Sequence, residues 1–267
     1  MLSLLPALLL AAQAAAQLCG APDRGVAPLA VRADTNTTLP AVIDVPVHFH
    51  AVAAEESGLL SQFKLQEQFD VLQTAFARYG FNMSLESTSF TVNATWAIDF
   101  QNPANGLAMR TALRRGGYNA LNIYFQDIDQ TIGRCDYPKP GAVPGSETFI
   151  LDGCQVHSGA VVGGTRFEGN AEGAFTVHEA GHWFGLPHTF QGGCSGAGVG
   201  GVPVHSGPTY QCSPGLVLDT CPGQPGEDPI YNYMNYNYDP CMSEFTAGQV
   251  EKMREDWAQF REGRVEE

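Results

Sequence analysis

Leu65, Phe69, Leu72 and Phe76 recur at spacings of three and four, which places them on one face of a helix. That pattern predicts a helix from Phe63 to Tyr79, stopped by Gly80. The run before it, Val42 to His50, is rich in β-formers, and Pro46 within it points to an edge strand or a bulge. Alternation from Met83 to Phe100 suits one or two strands, Pro103 to Arg115 a second helix, and Leu121 to Phe125 another strand. Thr148 to Leu151 reads as a further strand and Ala171 to Leu186 as a helix. From Gly192 to Gln224 periodicity gives way to Gly, Pro and Ser, an irregular stretch long enough to need staples or a function. Thr246 and Gln249 then stand as a capping box at the head of a last helix to about Glu262. The reading is an α/β (α+β) chain, regular in its first half and irregular in its second.

The N-terminal stretch departs from this pattern. Leu2 to Ala12 is mostly apolar but short of the roughly 20 residues that span a bilayer, and Ala14 and Ala16 supply the small-x-small step that signal peptidase accepts. Residues 1–16 are therefore expected to be a secretory signal, although no Lys or Arg precedes the apolar run; the alternative is a buried N-terminal helix. Residues 17–33 read as a short pro-segment or linker, and 34–267 as one folded domain. No later segment has the apolar length of a membrane span. Sequons at Asn36, Asn82 and Asn93 agree with export. So do seven cysteines, of which six can pair in 15 ways and one is left over.

Composition narrows the partners. With 14 Lys+Arg against 28 Asp+Glu the net charge is −14, which opposes binding to a phosphate backbone and speaks against a nucleic-acid role. The 44% of hydrophobic residues suffices for a core. A soluble, secreted monomer is the expectation.

The chemistry is concentrated in one stretch, His178-Glu179-Ala180-Gly181-His182-Trp183-Phe184-Gly185-Leu186-Pro187-His188. Helical residues four apart share a face, so His178 and His182 can bind one metal ion, with Glu179 better placed to hold a water than to ligate. Gly185 can take the positive φ that ends the helix, and Pro187 keeps it from resuming, so that His188 returns as a third ligand. Three imidazoles and one open position make the donor set of a catalytic zinc site. A core helix with satisfied histidines is the bland alternative, and it gives no packing reason for three His and a Glu together.

This motif, with Asn232-Tyr233-Met234-Asn235-Tyr236 as a methionine turn, resembles the metzincin clan of zinc endopeptidases. Within that clan the chain is most similar to the pappalysin family, particularly the secreted fungal metalloproteases. The stretches from His178 to Cys194, Asp219-Thr220-Cys221-Pro222, Asn232 to Tyr236 with Cys241, and Glu244 to Gln249 carry the resemblance. It implies a twisted five-stranded mixed sheet with two long helices above a cleft, and an irregular, disulfide-stapled lower subdomain with a C-terminal helix. It also implies Met234 as a floor beneath the zinc, the disulfides Cys194–Cys221 and Cys212–Cys241, and with them Cys135–Cys154.

The activity so implied is hydrolysis of peptide bonds in protein or peptide substrates. One Zn²⁺ would be held by His178, His182 and His188, with Glu179 taking a proton from the attacking water. Tyr236 resembles the clan's tyrosine near the metal and would donate to the developing oxyanion; the alternative is a packed aromatic. Asp239 is expected to line the pocket for the residue after the scissile bond and to favour a basic side chain, or else to be a solvated loop carboxylate. Cys19-Gly20-Ala21-Pro22-Asp23 is similar to the cysteine-switch segment of matrix metalloproteases, except that Leu18 stands where those have Arg. A Cys19 thiolate would then hold the zinc until cleavage after Arg24 or Arg32 releases the tail; an idle thiol or a mixed disulfide is the other reading. Relatives often bind calcium through the loop after the third His, but Thr189 to Leu218 contains no Asp or Glu, which leaves Asp219, Glu227 and Asp228 as weak Ca²⁺ candidates. His205 is expected at the surface, and His48, His50 and His157 in structural roles. The alternative to an enzyme is a catalytically silent zinc-binding interaction module on the same scaffold.

Overall fold

The computed structural model describes Cys19 and residues 41–98, 102–128, 131–167 and 171–264. The expected signal, Leu18, Arg24, Arg32 and Asn36 lie outside the described residues. Five strands form one sheet in the order β2-β1-β3-β5-β4: β1 (Ile43–Ala53), β2 (Phe81–Val92), β3 (Leu121–Gln126), β4 (Gly133–Cys135) and β5 (Cys154–His157). All neighbours run parallel except β4, which is antiparallel to β5 and lies at one edge. This is the mixed five-stranded sheet that the resemblance implied.

Six helices accompany it among the described residues: α1 (Gln62–Ala77), α2 (Ala94–Ile98), α3 (Pro103–Leu113), α4 (Glu147–Leu151), α5 (Ala174–Trp183) and α6 (Ala247–Phe260). α1 buries Leu65, Phe69, Leu72 and Phe76, the face that its spacing predicted. Those side chains pack on Val45, Val47 and Phe49 of β1, on Phe81 and Met83 of β2, and on the apolar face of α5. Phe49 holds the centre, edge-on to Phe69 at 6.2 Å and to Phe125 at 5.0 Å. On the other face of the sheet, beside α3, a small apolar cluster of Val52, Met109 and Tyr124 adjoins buried polar groups. There Arg110 donates to Gln155, Gln155 to Gln126, and Asn122 bonds His50.

Two sequence readings need correction, and the alternatives for Pro46 resolve to the bulge, since β1 is an inner strand. Pro46 is tolerated because β3 pairs with β1 only from Val47 onward, and the register of β1 on β2 shifts between Val47 and His48. Of the stretch from Met83 to Phe100, the described residues, up to Ile98, form one strand followed by the short α2, whose first turn Asn93 caps by accepting from the Trp96 N–H. Thr148 to Leu151 is helical: Ser146 accepts from the Phe149 N–H and caps a turn, and the strand begins three residues later at Cys154. β4, three residues long, carried too little pattern to be seen.

Below the sheet, residues 188–246 have almost no regular structure. The disulfides Cys194–Cys221 and Cys212–Cys241 tie these loops together, while Cys135–Cys154 joins directly opposed residues of β4 and β5. Met234, Tyr236, Met242 and Phe245 from the lower region join the same core as the sheet. The capping box of α6 is present in full, with Thr246 accepting from the Gln249 N–H and Gln249 from the Thr246 N–H.

Candidate metal centre

The start and end of α5 fix where its histidines point. Its N-terminal residue follows Gly173 in the left-handed region, with no cap from its own segment. The cap arrives from elsewhere: Oδ2 of Asp239 accepts from the backbone N–H groups of Glu172 (2.9 Å), Gly173 (2.8 Å) and Ala174 (3.3 Å). Asp239 is thus a helix cap and not a solvated loop carboxylate. It is buried, and burial pushes its carboxyl up to about 6 while the three donors pull it back. At the other end Gly185, at φ 99°, accepts the turn that no side chain tolerates. The Gly185 N–H bonds the His182 carbonyl and the Leu186 N–H bonds the Gly181 carbonyl, a Schellman arrangement that reverses the chain. His188 is thereby brought back over the helix.

Nε2 of His182 lies 3.1 Å from Nε2 of His178 and 3.1 Å from Nε2 of His188. The opposite ring nitrogens are engaged: Nδ1 of His178 donates to the Tyr233 carbonyl and Nδ1 of His182 to the Leu186 carbonyl, each at 2.7 Å. These bonds leave the Nε2 lone pairs facing one point, as metal ligation requires. Burial holds all three imidazoles neutral, His178 down to about 4 and the other two well below their ordinary value. Neutral, converging nitrogens with oriented outer partners fit a zinc ion.

Three further groups complete the site. Glu179 is fully buried beside the ligands, and burial raises its carboxyl to about 8 although the nearby Cys19 side chain and Arg134 pull it down. Met234 is fully buried with its sulfur against Gly181 of α5, where a Cβ would collide with it. The Tyr236 ring packs at 4.8 Å from the ring of His188. Its hydroxyl, held firmly protonated by burial and by the nearby Cys19 and Glu179, reaches the Cys19 carbonyl at 3.5 Å.

Cys19 itself enters the centre. Its Sγ is 3.3 Å from Nε2 of His182, and it forms with the three histidines a buried four-residue group whose ligand atoms all lie within 4.8 Å of one another. Its backbone makes a parallel bridge to Gly133 on the free edge of β4. Cys19 is the cysteine outside the three disulfides.

The remaining candidates fall away from the centre. His205 is fully buried, not at the surface, and bonds Thr189 Oγ1 at 2.9 Å, bracing the segment after the third ligand. His48 and His50 bond Ser87 and Ser89 across the strands, and His157 pairs with Asp127. Asp228 accepts from Thr220, and Asp219 from the Cys221 N–H, so both serve the loop itself. Among the described residues the only cluster of metal-binding groups is the one at His182. Three contributors had no sequence signal: the remote cap from Asp239, the reciprocal amide pair of Asn232 with Gln249 beneath the methionine turn, and Gly133.

Residues 118–258 match the peptidase family described as pregnancy-associated plasma protein-A. Extracellular metalloprotease 1 of Coccidioides posadasii is 44% identical over 232 residues, covering 85% of this chain and 81% of that protein. An extracellular metalloprotease of Colletotrichum graminicola is 43% identical over 244 residues, covering 87% and 84%. Among solved structures, mature mirolysin of Tannerella forsythia in complex with a cleaved peptide superposes with a TM-score of 0.66 at 23% identity, over 80% of this chain and 91% of that one. A promirolysin mutant superposes at 0.67, also at 23% identity, over 82% of each chain. These two likenesses concern the fold.

Proposed function

The chain belongs to the pappalysin (pregnancy-associated plasma protein-A) family of metallopeptidases, and from that membership we propose that it is a secreted endopeptidase cleaving internal peptide bonds of proteins at a zinc ion held by His178, His182 and His188. The observation that supports this most is the convergence of three neutral imidazole nitrogens beside a fully buried glutamate. Zn²⁺ bound there supplies Lewis acidity, lowering the pKa of its water to around 7 and polarising the scissile carbonyl. Glu179 takes the proton from the attacking water; its carboxyl, raised by burial, suits a base that must then give the proton to the leaving amine. Tyr236 keeps its hydroxyl proton and donates it in a hydrogen bond to the oxyanion. Its present acceptor, the Cys19 carbonyl, marks where a substrate carbonyl would lie. Met234 seats the ligands from below. Calcium has no assigned role, and the expected monomer stands on the sequence reading.

The same geometry supports Cys19 as the latency element. Its thiol fills the fourth position around the three histidines, and its backbone occupies the strand edge beside them. Residues 1–16 would leave on export and 17–33 on activation, with Asn82 and Asn93 as glycosylation candidates, the exposed Asn82 exchanging its bond to Asp44 for the glycan. The test is hydrolysis of a denatured protein by the secreted chain and by Cys19→Ser. Activity that rises in Cys19→Ser, is abolished by a chelator and returns with zinc is expected. A zinc-loaded Cys19→Ser protein without activity would favour the silent binding module instead.

A further inference from the structure

Gly133 opens β4 at the free edge of the sheet, and one side of its backbone bridges Cys19. The other side pairs with Val156 of β5, and the Glu179 carboxylate lies where a side chain at position 133 would project. A methyl group at position 133 would stand 2.7 Å from Oε1, 2.8 Å from Cδ and 2.8 Å from Cγ of Glu179, where non-bonded carbons prefer about 3.5–4.0 Å. The backbone of Gly133 is not left-handed, so conformation does not call for glycine here. The missing side chain does.

Neither backbone can step aside, so the carboxylate itself would have to move. β4 is fixed to β5 by the Gly133↔Val156 register and by the Cys135–Cys154 disulfide two residues on, and Thr131 Oγ1 donates to the Gly133 carbonyl. Glu179 sits on a helix held at its start by Asp239 and at its end by the Schellman turn, between two histidines whose rings are tied to backbone carbonyls. Two rigid elements meet, and the contact leaves space for the carboxylate only if position 133 has no Cβ.

We propose that Gly133 is a positioning residue for Glu179: the gap it leaves in the edge strand fixes where the carboxylate stands relative to the three imidazoles. The inference rests on the proposed role of Glu179 as the base. It differs from a role in admitting an extended chain along the strand edge, which would act on binding rather than on the base.

A double-mutant cycle separates these. Gly133→Ala and Glu179→Ala are combined in the secreted full chain, in the Cys19→Ser background so that the thiol does not mask turnover. Thermal stability, zinc content, kcat and KM are measured. With Glu179 present, Gly133→Ala is expected to lower kcat by about a hundredfold, the cost of a misplacement near 1 Å, with KM and zinc content unchanged. It is also expected to lower Tm. With Glu179→Ala present, the added methyl fills the vacated space, so Gly133→Ala should leave Tm unchanged or raise it and take nothing further from the residual rate. Equal Tm losses in both backgrounds, or a rise in KM with kcat intact, would overturn the proposal. Should Gly133→Ala fail to be secreted, secretion of the double variant supports the contact and failure of both overturns it. If Glu179→Ala retains full activity the base assignment fails, yet the stability cycle still reports on the contact by itself.

Discussion

The two halves of this molecule are held by different forces although one core runs through both. Above the site, the sheet, α1 and α5 bury contiguous apolar faces, and their strands and helices pair backbone with backbone. Below it, residues 188–246 rely on two disulfides and on side chains that satisfy the backbone one group at a time: Asn235 for Thr209, Asp228 for Thr220, Asn237 for Ile230. The groups of the proposed site straddle this boundary. Glu179, His178 and His182 come from a helix of the upper half, and His188, Met234 and Tyr236 from loops of the lower. The upper half supplies stability, and the lower half supplies positions that no regular element could reach.

Damage to each half should therefore read out differently. Phe49→Ala removes the centre of the upper core and is expected to cost about 3–5 kcal/mol, seen as a lower midpoint in denaturant melts with activity falling only as the protein unfolds. Replacing Cys212 and Cys241 together by Ala opens a link spanning 29 positions of the chain and should cost about 2–4 kcal/mol. Unlike Phe49→Ala, it should also speed zinc loss to a chelator while the protein is still folded. Asp239→Ala uncaps α5 from below, at about 1–2 kcal/mol, whereas Asp239→Asn keeps an acceptor and should cost less. A Phe49 variant that lost zinc as fast as the disulfide variant would erase the distinction.

Acid offers a milder probe, aimed at the upper half. His50 is fully buried and lowered from 6.5 to about 4 by burial, so the unfolded chain binds its proton more readily than the native one. The stability contributed by keeping it neutral is complete above about pH 6.5 and is lost as pH falls through about 4. His178 follows the same sign. Zinc-loaded and chelated protein should both lose stability across that window, and the loaded protein should also release metal, because protons and zinc compete for the same imidazoles.

How much of this was legible depended on whether the cause was local. α1 and its buried face, the capping box at Thr246, and the five residues from His178 to His188 that define the ligands all follow from spacing, because helical period and turn chemistry act within a few residues. The Gly185 turn was legible for the same reason. What escaped was set by distant partners. The capping role of Asp239 was hidden because nothing near it reveals that its hydrogen-bond donors stand at the start of a helix 65 residues upstream. His205 looked exposed because its burial comes from Thr189 across the loop. β4 and Gly133 carried no pattern at all, since a three-residue strand has no period and a missing side chain leaves no signal until its neighbour is known.

The most direct test of the account is Glu179→Gln in the Cys19→Ser chain, with zinc content and hydrolysis of a denatured protein measured on the same preparations. About one zinc per chain in both proteins, with turnover falling by about 10²–10⁴ in the variant, is the expected result. Full turnover in Glu179→Gln, or turnover in a parent protein that carries no metal, would contradict it.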